Sequence, residues 1–118
     1  MRTEHIAVTV AGNAGSASGS AKSGKPVSGI LLGVYVDYVS QPATCDVTIA
    51  TESAPVKTLL TLTNANTDGW FYPRYLAHGS TGTVSTTDLV YHPVNDYVVV
   101  TVAQGDAGSV NVYLVYAD

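Results

Sequence analysis

The chain has 118 residues, nine acids against five bases, a net charge of −4, and only 12% charged residues beside 46% hydrophobic ones. That length is one domain's worth, enough to bury a core unaided, and the acidic balance excludes the basic stripe that a nucleic-acid binder needs. The single cysteine, Cys45, excludes an intrachain disulfide, and the longest apolar run, residues 30–36, is far too short to cross a membrane as a helix.

The opening Met1-Arg-Thr-Glu-His5 is polar, unlike the apolar run of a signal peptide. Ile6, Val8 and Val10 then alternate with Ala7 and Thr9, which predicts a strand ending at Gly12-Asn13. Residues 11–26 are small and polar, and predict a flexible segment or an edge strand. Val27 to Val39 is the strongest strand signal. Simple alternation puts Ile30, Leu32, Val34, Val36 and Tyr38 on one face, with Leu31, Tyr35 and Val39 on the other beside Gly33 and Asp37. Both faces are largely apolar, so the strand is expected to be covered on both sides.

Cys45, Val47 and Ile49 alternate with polar residues, and Thr58 to Thr63 reads as another strand. Asn64 to Gly69 is a dense turn signal. Trp70 to His78 is strand-like but holds Pro73, so it lies at an edge or bends. A weaker strand at 83–91 and strong ones at 97–102 and 110–116 complete the chain. No window shows helical periodicity. The expectation is one all-β domain, a β-sandwich or jelly roll of about eight strands with no substantial helix.

Chemistry-bearing motifs fail on inspection. Gly19 to Lys25 has the G-x-x-x-x-G-K spacing of a phosphate loop, but Pro26 stands where Ser or Thr would hold magnesium, and strand rather than helix follows. His5, His78 and His92 share no ligand spacing with one another or with Cys45, although 78 and 92 could meet across a hairpin. Cys45, in an alternating apolar run, reads as a core thiol. The aspartates, among them Asp37, Asp46, Asp68, Asp88, Asp96 and Asp106, read as turn formers. Neither enzymatic activity nor a cofactor, metal or small-molecule substrate is expected.

The aromatic cluster Trp70, Phe71, Tyr72 and Tyr75 around Arg74 is the leading binding feature, because rings offer large contact area with few rotors. The residues by themselves favour a plainer reading over a protein interface or a carbohydrate contact, namely that Trp70 and Tyr72 plug one end of the core. Tyr35 and Lys25 join the cluster as candidate interface residues.

Several stretches resemble small virion structural proteins of tailed bacteriophages. They are His5-Ile-Ala-Val-Thr-Val10, Gly33-Val-Tyr-Val-Asp-Tyr38, residues 42–51, Thr67-Asp-Gly-Trp-Phe-Tyr-Pro-Arg74 and Val110-Asn-Val-Tyr-Leu114. Together they cover most of the chain in order, and the 67–74 segment is the most specific. The resemblance implies a capsid decoration or cement protein on the capsid exterior, made in the host cytoplasm, bound to the major capsid protein and assembling as a dimer or trimer. It transfers no catalytic residue. On this reading residues 1–25 extend to neighbouring subunits and the 70–75 patch docks. The alternatives are a head–tail connector or tail component, and a carbohydrate- or host-surface-binding β-sandwich whose mark would be an exposed aromatic platform at Trp70 and Tyr72.

Overall fold

Alternating apolar residues and Gly/Asn/Asp turns divide the chain into strands throughout. A computed structural model describes residues 1–118 as β1 (Arg2–Val10), β2 (Ala17–Lys22), β3 (Val27–Val39), β4 (Asp46–Thr51), β5 (Thr58–Leu62), β6 (Gly69–Phe71), β7 (Arg74–His78), β8 (Val84–Tyr91), β9 (Pro93–Asp96), β10 (Val98–Gly105) and β11 (Gly108–Ala117). There is no helix. The eleven strands exceed the expected eight or so for three reasons, the first being that β2 forms inside the small-residue segment. Buried Pro73 splits the aromatic run into β6 and β7, and β9 forms from residues that carry no strand signal of their own.

One sheet has the order β1-β11-β3-β6, with β9 also pairing with β3; the second has the order β2-β10-β4-β5. All of these pairings are antiparallel. β7 and β8 pair only with each other. The inward residues of both sheets share one apolar core, including Ile6, Val8, Val34, Val36, Val112 and Leu114 from the first sheet and Val47, Ile49, Val100 and Val102 from the second. Cys45 lies in this core, where burial pushes its thiol pKa up.

Residues 1–25 do not reach outward. β1 is laddered to β11 along its whole length, and β2 is the edge strand beside β10. The two are halves of one long hairpin, joined through the Ala11–Ser18 bridge, that straddles the sheets. The crossing is tight: a Cβ on Gly19 would lie 2.1 Å from the Thr9 carbonyl oxygen.

β3 departs from simple alternation. Val115 pairs with Gly33 and Tyr116 with Leu31, so Leu32 is an extra, unpaired residue, a β-bulge. The bulge reverses the facing of everything before it. Val34, Val36 and Tyr38 point inward as expected, but N-terminal to the bulge it is Val27 and Leu31 that are buried, while Ile30 is 39% exposed. The outer face of β3 is not covered by another layer: Tyr35 and Leu32 are half-buried and Val39 is 41% exposed.

Candidate interaction surfaces

The register of the first sheet lines up side chains across four strands. His5 on β1 pairs with Tyr113 on β11, Tyr113 with Tyr35 on β3, and Tyr35 with Trp70 on β6. Directly paired residues share a face, so four aromatic rings form one row across the outer surface. His5 stacks on Tyr113 with centroids 4.4 Å apart and planes 10° from parallel. Tyr113 and Tyr35 are 6.3 Å apart, and Tyr35 and Trp70 5.2 Å, both tilted. Tyr72 extends the row, 6.4 Å from Trp70 and 11° from parallel. Its ring lies over Gly33, where an added Cβ would come within 3.4 Å of it. Trp70 and Tyr72 are 52% and 61% exposed, so they do not plug the core. Beside them Met1, Leu32, Gly33 and Val115 complete a shallow apolar groove of about 180 Å³.

Two residues along each strand, a polar row borders the rings. Asn111 on β11 pairs with Ala7 and with Asp37 on β3. Asn111 Oδ1 is hydrogen-bonded to His5 Nε2 at 3.0 Å. Asp37 is therefore no turn former: it sits mid-strand on the outer face, half-buried.

The expected aromatic cluster is divided among three places. Trp70 and Tyr72 belong to the outer face. Phe71 turns the other way and packs against the core. Arg74 and Tyr75 lie on the β7–β8 hairpin. Lys25 belongs to none of these; it lines an open polar groove of about 380 Å³ with Arg2, Ser28, Tyr116 and Asp118. In that groove Arg2 is paired with Asp118, whose carboxyl it holds below its usual range.

The hairpin β7–β8 projects as an arm between β6 and β9, which both border β3. Register places Arg74 and Leu76 opposite Tyr91 and Leu89 on one face. Leu76 is 39% exposed and Leu89 55%. Arg74 donates a 2.9 Å hydrogen bond to the Tyr91 hydroxyl and its guanidinium stands 4.5 Å from that ring's centroid. On the opposite face Tyr75 closes the base of the arm, between the His92 ring at 4.9 Å and Lys57 Nζ at 4.8 Å. His92 is buried, and its Nδ1 has no hydrogen-bond partner. Burial first, and Lys57 second, lower its pKa. His78 is far out on the arm opposite Val84, so the two histidines do not meet.

Sequence reasoning missed Tyr113, His5, Asn111 and Asp37 as surface partners of Trp70. They are distant in sequence, and the one available signal was that each occupies the outward phase of an alternating strand. No three His, Cys, Asp or Glu side chains converge anywhere. Comparison of the chain with protein-family models, curated proteins and solved structures found no match.

Proposed function

We propose that the two sheets form a jelly-roll sandwich, and that the chain is a non-enzymatic virion structural protein, a capsid decoration or cement protein that bridges major capsid subunits. The strand pairing supports the first part. First pairs with last, second with second-to-last, and β3 and β4 then flank β11 and β10 in opposite sheets, as a rolled-up long hairpin requires. Jelly rolls are frequent among viral capsid and lectin domains, which is a fold-level analogy only.

The observation that carries the functional reading is the β7–β8 arm. A two-stranded hairpin standing alone is marginal in water. This one holds Leu76, Val84, Leu89 and Val90 at or above about a third exposure. Such an arm gains most by lying on another protein, and the low charge of the chain favours being covered. Arg74 and Tyr91 on the same face supply the residue types that dominate interface energetics. The resemblance at 67–74 runs directly into this arm, and the partner it implies is the major capsid protein. A cement protein acts by mass action, stabilising the assembled shell on which it binds.

The test adds purified protein to capsids that lack it. Co-sedimentation and a raised shell melting temperature are expected, with both lost in the double variant Leu76→Ser/Leu89→Ser. Shells that neither bind the protein nor gain stability would end this reading. Copy number in the intact particle separates a decoration protein from a connector, which is present in one small ring.

A further inference from the structure

We propose that the aromatic row and the polar row beside it form a binding site for a neutral oligosaccharide. This goes beyond the virion reading and uses a surface separate from the arm.

The occupant follows from the pattern of the face. A pyranose is amphipathic: one side presents C–H bonds and the rim presents hydroxyls that both donate and accept hydrogen bonds. The outer sheet repeats that division. His5, Tyr113, Tyr35 and Trp70 run in register across four strands, a span of roughly 14 Å from the strand spacing. Two residues along β11 and β3, on the same face, Asn111 and Asp37 stand side by side. The Asn111 carbonyl oxygen is engaged with His5, which leaves its amide N–H groups to donate outward. The Asp37 carboxylate takes part in neither of the two ion pairs and offers acceptor sites to two hydroxyls at once. A purely apolar partner would leave these groups unpaired and desolvated, at a cost in affinity. A short sugar chain satisfies both rows.

Charge sets the class of sugar. No lysine or arginine lies on this face: Arg2 is paired with Asp118, Lys22 with Glu52, Lys57 stands over Tyr75, Arg74 over Tyr91, and Lys25 lines the polar groove. The one carboxylate among the rows is Asp37, so uronic and sialic acids are disfavoured there. The groove beside Trp70 and Tyr72 adds an apolar recess for a ring substituent.

Trp70 is the only tryptophan and stands in the row between Tyr35 and Tyr72, so its fluorescence reads the site directly. The experiment titrates the whole chain, without capsids, with triacetylchitotriose, cellotriose, mannotriose and a trigalacturonate. At least one neutral trisaccharide is expected to shift Trp70 emission saturably, and the trigalacturonate to do nothing. Asp37→Ala and Trp70→Ala, followed by saturation-transfer NMR and checked for folding by thermal melts, are expected to weaken binding about tenfold or more. Leu89→Ser, on the arm, is expected to bind as the parent does. The proposal is overturned if no neutral trisaccharide binds at millimolar concentration, if the acidic one binds equally well, or if Asp37→Ala and Trp70→Ala bind unchanged. A Trp70 shift that follows protein concentration without sugar would assign the face to self-association, and overturn it too. Capsid binding enters none of these readouts, so failure here leaves the arm reading standing, and the reverse.

Discussion

At Gln41 one buried amide holds two segments together. Its Nε2 donates to the Val39 and Asp106 carbonyl oxygens, and its Oε1 accepts from the Asp106 N–H at 3.1 Å. The side chain thus ties the end of β3 to the β10–β11 turn. Gln41→Leu removes those bonds and leaves a buried N–H and carbonyls unpaired, so a loss of about 1–3 kcal/mol is expected in urea unfolding. His92 makes the opposite kind of contribution. Its pKa is held below the ordinary value of 6.5 by burial and by Lys57. The folded chain therefore binds fewer protons than the unfolded chain as pH falls through 6.5, and stability present above that pH is lost below it. Melting temperatures at pH 7.5 and pH 5 check this: the drop is expected to be smaller in His92→Phe, which keeps a ring against Tyr75 but cannot be protonated.

Among the elements, β3 and the arm show how context overrides local pattern. The β3 bulge at Leu32 exchanges Ile30 for Leu31 in the core, because pairing with β11 and the close approach of Ala117 set the register. A Cβ on Gly29, whose φ is +140°, would fall 2.0 Å from the Ala117 carbonyl oxygen. The β1–β2 crossing is equally intolerant. Gly19→Ala is expected to cost more than about 2 kcal/mol by chemical denaturation, since the clash is with backbone rather than a mobile side chain. The arm lies at the other extreme. Its backbone hydrogen bonds are shielded by few neighbours, so amides of residues 76–89 are expected to exchange with deuterium well before those of β3, β10 and β11. Equal protection would show that the arm is bound down on the body.

The whole molecule is organised by pairing of chain ends: β1 with β11 and β2 with β10 join residues from 77 to 114 positions apart. Closing such loops precedes any gain from the core, so refolding on the millisecond-to-second scale is expected in stopped-flow measurements. Because both sheets share one core, Leu114→Ala is expected to cost about 2–5 kcal/mol and to preserve a single unfolding transition. The long axis of 48 Å, against 29 and 26 Å across, belongs to an elongated molecule with a projecting arm.

The all-β class, the positions of most strands and the burial of Cys45, Val47 and Ile49 were legible in the sequence, since a two-residue period and Gly/Asn/Asp turns act locally. The aromatic cluster was legible as a feature, but neither the exposure of Trp70 and Tyr72 nor the grouping of the rings was. Neighbours in sequence point to opposite faces of a strand, which sends Phe71 to the core while Trp70 stays outside, and Pro73 carries Arg74 and Tyr75 onto another element. Residues 11–26 have the composition of either a loose segment or an edge strand, and residues 17–22 take the second course beside β10, because backbone hydrogen bonds do not depend on large side chains. Local alternation determined which residues can be strands. Only long-range pairing decided that His5, Tyr113, Tyr35 and Trp70 meet in one row, because register between distant strands is a property of the sheet and not of any segment within it.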